Sequence, residues 1–101
     1  CYVEDAVEQI IKISQRGKNQ NIYNIGQRNE ISILKLISDI SKILKIHVNV
    51  KTGKLLQGSP KRRCPSIKKL FKIGYKQNNN YKKGLIKSVN WYKDYYKKNI
   101  L

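Results

Sequence analysis

Two adjacent arginines, Arg62 and Arg63, are the residues of this chain best suited to bind an anion. A guanidinium group is planar and permanently charged, and its N–H donors match two oxygens of a phosphate at once. The residues that follow predict the start of a helix, with Ser66 as its N-cap. Unpaired N–H groups at a helix start attract phosphate further. We therefore expect a phosphate site in the stretch from Ser59 to Leu70, where the two arginines precede the helix start.

The spacing of apolar residues predicts four helices and two short strands. The first predicted helix is residues 4–15, ended by a polar turn at Gly17, and the second is capped by Ser32 and apolar on one face from 33 to 44. The third is residues 67–73, ended by Gly74, and the last runs from a cap at Asn80 to about 98. The predicted strands are residues 22–25 and 47–51, with a loop at 52–65. Two short strands do not form a self-sufficient sheet, so they would belong to a larger body.

Two helices carry apolar stripes that indicate buried faces. The stripe of the first helix includes Ala6, Val7, Ile10 and Ile11. The stripe of the last helix consists of Tyr81, Leu85, Val89, Tyr92 and Tyr96, with Lys82, Lys83, Lys87, Lys93, Lys97 and Lys98 on the opposite arc. Helical spacing of this kind favours a core face over a base-stacking platform, and we expect Trp91 to help bury this helix.

The positive charge is concentrated in the second half of the chain. The net charge is +16, of which residues 1–50 contribute +2 and residues 51–101 contribute +14. One explanation is binding to nucleic acid. The other is the codon bias of an A/T-rich genome, which enriches Lys, Asn, Ile and Tyr together. The predicted separation of lysines from aromatics on the last helix argues against nucleic acid.

Several absences limit the class of protein. The chain has no Met and begins at Cys1, so we expect it to be the tail of a longer protein. Cys1 and Cys64 make neither a disulfide framework nor a metal set, and His47 has no ligand partners at suitable spacing. No apolar run approaches the ~20 residues of a membrane span. We expect a cytoplasmic protein with free thiols and no membrane contact.

Short motifs in a fixed order resemble the NAD-dependent nucleotide-sugar epimerases and dehydratases, which are extended short-chain dehydrogenases. The motifs are Cys1-Tyr2-Val3-Glu4-Asp5-Ala6-Val7-Glu8, Tyr23-Asn24-Ile25-Gly26, Asn29-Glu30-Ile31-Ser32-Ile33, Arg62-Arg63-Cys64-Pro65, Gly74-Tyr75-Lys76, Gly84-Leu85 and Trp91-Tyr92. Each motif is short, and their ordered occurrence over nearly all 101 residues carries the resemblance. Ser66 stands where many members have Asp, and Lys82-Lys83 replace a usual acidic pair.

The resemblance implies an α/β protein in which residues 1–101 form a small, helix-rich C-terminal substrate-binding subdomain. The Rossmann domain that holds NAD would precede it, and the parent enzyme would form a homodimer. The chain has no Gly-x-Gly-x-x-Gly turn and no Tyr-x-x-x-Lys pair, which carry the dinucleotide and the proton transfer in this family. The chain alone would therefore be inactive, with no catalytic, cofactor or metal residues. Its partner would be a nucleotide-diphosphate sugar.

The resemblance also implies which residues bind substrate. Arg63 aligns best with the family arginine that reaches the diphosphate, and Arg62 is the alternative. Tyr2 and Asp5 recur in relatives, where they either contact substrate or anchor the first helix to a neighbouring loop. The sugar, the base, the choice of NAD or NADP, and the reaction that follows oxidation stay open. The competing function is that of a small basic nucleic-acid-binding module.

Overall fold

Four α-helices joined by irregular segments make up the computed structural model over its described residues, 1–78 and 80–99. The helices are α1 (Val3–Arg16), α2 (Ile33–Leu44), α3 (Lys68–Lys72) and α4 (Tyr81–Asn99). The chain divides into two compact units. The first unit contains Cys1–Glu30 with Arg62–Tyr81, and the second contains Ile31–Lys61 with the chain from Lys82. None of the helices within 1–78 and 80–99 is both long and apolar enough to cross a membrane.

The predicted C-terminal end of α1 and the predicted start of α2 are confirmed. Gly17 is the C-cap of α1, and its N–H donates to the carbonyl of Ile13. At the start of α2, the Ser32 hydroxyl accepts a hydrogen bond from the Lys35 N–H at 3.1 Å. This bond satisfies one of the N–H groups that a helix start leaves without an intrahelical partner.

The predicted start of α3 is wrong, and its predicted end is confirmed. The N-cap is Ile67, without a side-chain hydrogen bond, so Ser66 is not the cap. At the other end, Gly74 adopts a φ of 86°, its N–H donates to the Phe71 carbonyl, and the Tyr75 N–H donates to the Leu70 carbonyl. This pair of bonds is a Schellman motif, which requires the left-handed conformation that glycine adopts without strain.

Neither predicted strand forms within the described part of the chain. Residues 22–25 and 47–51 are irregular. A strand needs a neighbouring backbone to complete its hydrogen bonds, and no such ladder occurs in residues 1–78 and 80–99. Single side-chain contacts hold residues 22–25 instead: the Lys69 ammonium donates to the Ile22 carbonyl at 2.9 Å, and the Tyr23 hydroxyl accepts from the Lys18 N–H.

The core of the first unit forms where α3 and the turn after it meet α1. Ile67, Leu70 and Tyr75 are buried, and Leu70 has no exposed surface. Three partly buried side chains pack against this cluster, namely Ile13, Tyr23 and Ile73. A helix of five residues is too short to be stable alone, so burial of Leu70 and Ile67 stabilises it.

The predicted apolar stripe of α1 is not the buried face of this helix. Val7, Ile10 and Ile11 are each about half exposed, whereas Asp5 and Gln9 are buried. The face of α1 that packs inward therefore carries hydrogen-bonding groups, and every buried polar side-chain atom in the described residues has a partner. Burial of a polar group is tolerated when such partners are present.

The aromatic residues of α4 are also more exposed than predicted. Gly84 and Val89 are buried, but Tyr92 and Tyr96 are about half exposed and Trp91 is 60% exposed. Trp91 stacks on Tyr95, with ring centroids 5.3 Å apart. The predicted separation of charge is incomplete as well, because Lys93 and Lys97 line the same groove as Tyr92 and Tyr96, beside Ile40 and Leu44 of α2.

Gln9 is fully buried and uses both ends of its amide. Its Oε1 accepts from the Gly26 N–H at 2.8 Å, and its Nε2 donates to the Gly26 carbonyl at 2.8 Å. The same Nε2 donates to the Tyr75 hydroxyl at 3.1 Å. One side chain on α1 thereby joins the loop at Gly26 to the buried core at Tyr75.

Replacing Gln9 with leucine should lower the free energy of unfolding by about 2–4 kcal/mol, because each buried group left without a partner costs about 1–3 kcal/mol. The backbone of Gly26 and the hydroxyl of Tyr75 would lose their bonds. Gln15→Leu is the matched control, since Gln15 is exposed on the same helix. Urea unfolding measures both variants, and equal losses would contradict the assigned role of Gln9.

Candidate functional site

The segment that carries the two arginines runs antiparallel to residues 24–30. The contacts between them are Asn24 Nδ2 to the Ser66 carbonyl at 3.3 Å, Cys64 Sγ to the carbonyls of Gln27 at 3.9 Å and Arg28 at 3.8 Å, and Arg62 Nε to Glu30 Oε1 at 2.6 Å. Positions later in one segment meet positions earlier in the other. The 24–30 loop therefore sets where the 62–66 segment lies, without a backbone ladder.

Side chains from outside the 24–30 loop hold it in place. Besides Gln9, the carboxylate of Asp5 accepts from the Gln27 side chain at 2.9 Å. The Arg28 N–H donates to the side-chain oxygen of Gln77 at 3.1 Å. Asp5 and Gln9 are four residues apart on α1, so they lie on one face of the helix, and this face meets the loop.

Arg62 forms an ion pair with Glu30 at the end of the loop. The two side chains are 72% and 42% exposed. The hydrogen bond that Arg62 donates to Glu30, together with the charge of Arg62, lowers the pKa of Glu30, and the same bond raises the pKa of Arg62. An exposed ion pair of this kind contributes little to stability. The pair joins the side chain of Arg62 to the end of the 24–30 loop.

Arg63 differs from Arg62 in having an exposed side chain with no hydrogen bond or ion pair to residues 1–78 and 80–99. Arg28, also exposed, has its backbone opposite Cys64 and adds positive charge to the neighbouring segment. The predicted site thus contains two adjacent guanidinium groups, one paired and one available to an external anion. The helix that was expected to start at Ser66 and assist them has Ile67 as its N-cap and begins at Lys68.

The other two predicted substrate-binding residues lie at the start of α1. Asp5 is buried and reaches the 24–30 loop through Gln27, which agrees with an anchoring role. Tyr2 is the N-cap residue of α1, half-buried, and its hydroxyl donates to Glu4 at 3.2 Å. That bond stays within the start of α1 and does not reach the arginines.

Three residues of the site, Gln9, Glu30 and Gln77, were not predicted from composition or spacing. Gln9 stands among apolar neighbours on α1, and Gln77 lies in a polar linker, so neither has a signal in the sequence alone. Glu30 is one of only six acidic residues in the chain. Its scarcity in a strongly basic sequence was the available signal that it pairs with a cation.

The sequence contains no Gly-rich turn of the type that binds a dinucleotide. The pyrophosphate of a dinucleotide is held by a Gly-rich turn between a strand and a helix. Over residues 1–78 and 80–99 the structure contains no strand, and the sequence lacks the turn. Within the same residues, no cluster of His, Cys, Asp or Glu side chains is suited to hold a metal ion.

Comparisons with known proteins relate the chain to nucleotide-sugar enzymes. It is 30% identical over 94 residues to a trifunctional UDP-glucose 4,6-dehydratase/UDP-4-keto-6-deoxy-D-glucose 3,5-epimerase/UDP-4-keto-L-rhamnose-reductase of Arabidopsis thaliana, covering 90% of this chain and 14% of that protein. It is 27% identical over 101 residues to the dTDP-D-glucose 4,6-dehydratase of Bos taurus, covering 92% and 28%. A UDP-glucuronic acid decarboxylase of Arabidopsis thaliana is 27% identical over 86 residues, covering 84% and 25%.

No family model matches the chain. No solved structure matches it either. Together with the dTDP-D-glucose 4,6-dehydratase of Homo sapiens, which is 24% identical, these similarities are weak but consistent, at 24–30% identity, and they fall on one part of the relatives. The chain is homologous to the C-terminal region of NAD-dependent extended short-chain dehydrogenases of the nucleotide-sugar dehydratase type, which are Rossmann-type proteins. It spans 14% of the plant relative and 28% of the bovine one.

Gly26→Ala should destabilise the protein by about 1–3 kcal/mol through overpacking. A Cβ at Gly26 would lie 2.7 Å from Cγ of Pro65, a ring atom that cannot rotate away, and the φ of 155° disfavours a side chain. Gly53→Ala is the control, because a Cβ there has no atom within 4 Å. Thermal or urea unfolding compares the two, and an unchanged midpoint for Gly26→Ala would refute the contact between the loop and Pro65.

Arg62→Ala should raise the pKa of Glu30 toward its ordinary value, because the hydrogen bond and charge that lower it are removed. A lowered pKa means that the pair contributes stability above the ordinary pKa of glutamate, and that this contribution is lost as pH falls through the lowered value. A ¹³C NMR titration of the Glu30 carboxyl measures the change. Arg63→Ala removes an equal charge without touching Glu30, and an equal pKa in both variants would contradict the pairing.

Proposed function

We propose that this chain is the substrate-binding part of an NAD-dependent nucleotide-sugar dehydratase or epimerase. Residues 1–101 would grip the nucleotide diphosphate, and a Rossmann domain outside this chain would bind NAD and supply the catalytic groups. The names of the relatives support UDP- or dTDP-linked sugars as the class of substrate. The chain by itself would not catalyse the reaction.

The placement of Arg62 and Arg63 is the observation that carries this proposal. Both arginines lie on a segment held against a loop that is itself bonded to α1. A diphosphate carries several negative charges on oxygens that two guanidinium groups can bind in a bidentate manner. Arg63, exposed and without a partner among the described residues, is ready to make such bonds.

Asp5 and Tyr2 would support the site from the start of α1. The bond from Gln27 to the buried Asp5 favours a positioning role, in which Asp5 keeps the 24–30 loop in place and acts on substrate only through it. Tyr2 occupies the N-cap position of α1, three residues before Asp5. We propose direct contact with the nucleotide sugar for Tyr2 only, since it is the less buried of the two.

Nucleic-acid binding is the second candidate function, and one observation favours it. Lys93 and Lys97 share a groove with Tyr92 and Tyr96, which combines cations with stacking surfaces. A titration with single-stranded DNA and RNA at several salt concentrations separates the two functions. A steep fall of affinity with salt would support nucleic acid, because neutralised phosphates release counterions. Absence of binding would leave the nucleotide-sugar function.

Arg63→Ala in the intact protein should weaken binding of UDP-glucose or dTDP-glucose by about 1.5–3 kcal/mol, the usual contribution of a hydrogen bond to a charged group. Isothermal titration calorimetry measures this change. Lys61→Ala is the control, because it removes one positive charge two residues away. A lysine ammonium does not offer the bidentate donors of a guanidinium, so the loss of affinity should be smaller. Equal losses in both variants would indicate diffuse attraction, and an unchanged affinity for Arg63→Ala would remove the assignment.

A further inference from the structure

Glu30 accepts a hydrogen bond from the Nε of Arg62 and leaves the two terminal amino groups of the guanidinium without a partner in the described residues. The hydrogen bond joins Nε of Arg62 to Oε1 of Glu30 at 2.6 Å. Within residues 1–78 and 80–99, the two terminal amino groups of Arg62 make no hydrogen bond. These amino groups together present two parallel N–H donors, which is the arrangement that binds two oxygens of one anion.

Glu30 is itself fixed by the 24–30 loop, whereas Arg62 has little else to hold it. The loop is bonded to the buried Gln9 and to the side chain of Gln77. The Arg62 side chain is 72% exposed, so packing does not restrict it. An unrestrained arginine loses much rotamer freedom on binding a ligand, and a bond that already directs it reduces this loss.

We infer that Glu30 is a positioning residue that directs the terminal amino groups of Arg62 toward the diphosphate. This inference rests on the proposed function and adds a residue to it. An acid beside an anion site is unexpected, because Coulomb repulsion alone would weaken binding of a diphosphate. Removal of Glu30 should weaken diphosphate binding if positioning dominates, and should strengthen it if Coulomb repulsion dominates. The single bond through Nε favours positioning, since the carboxylate does not occupy the end of the guanidinium.

The test is calorimetric titration of UDP into the intact protein and its variants. Glu30→Ala should weaken binding roughly 3–10-fold, through lost preorganisation of Arg62. Glu30→Gln keeps an acceptor oxygen and should recover part of the affinity. Asp39→Ala is the matched control, because it removes one negative charge and one ion pair, with Lys35 on α2, in the other unit of the chain. It should leave the affinity within about twofold, because an ion pair between residues i and i+4 on a helix contributes little by itself.

A double-mutant cycle separates positioning from a general structural effect. In an Arg62→Ala background, Glu30→Ala should have no further effect on UDP affinity, because the group that it directs is gone. An equal loss in both backgrounds would overturn the inference. So would tighter or unchanged binding by Glu30→Ala alone. If neither Arg62→Ala nor Arg63→Ala changes the affinity, the proposed function itself fails, and this result is distinct from a failure at Glu30.

Discussion

The two-way hydrogen bond between the buried side chain of Gln9 and the backbone of Gly26 fixes the position of the 24–30 loop. The remainder of the first unit depends on this bond. It ties α1 to the loop, and through the Tyr75 hydroxyl it ties both to the core around Leu70. A loop without a backbone ladder needs such side-chain partners, because its buried N–H and C=O groups are otherwise left without hydrogen bonds.

The loop in turn determines the electrostatics of the 62–66 segment. Pairing with Glu30 directs one guanidinium group, and Arg63 beside it stays available to a ligand. The excess of basic residues in the second half of the chain does not by itself create a site, since exposed charges in water are screened over about 8–10 Å. What distinguishes this segment is that its backbone lies against the 24–30 loop and that one of its two guanidinium groups is paired with Glu30.

The sequence predicted the helices better than the faces that they bury. Apolar spacing located α1 and α2, and capping chemistry located Ser32, Gly17 and Gly74, because these signals are local. The prediction of strands at 22–25 and 47–51 was wrong, because strand formation depends on a partner that is distant in sequence. Burial of Gln9 in place of the apolar stripe could not be predicted, since periodicity identifies a stripe but not its contacts. The arginine pair was found from residue type, whereas Glu30 needed the fold.

A crystal structure of the intact protein with a bound UDP- or dTDP-sugar would show which residues bind the diphosphate. We expect the terminal amino groups of Arg62 and the guanidinium of Arg63 to lie within hydrogen-bonding distance of the diphosphate oxygens. We also expect the bond between Arg62 and Glu30 to persist in the complex. A structure in which the diphosphate lies elsewhere, with both guanidinium groups directed into solvent, would contradict the account.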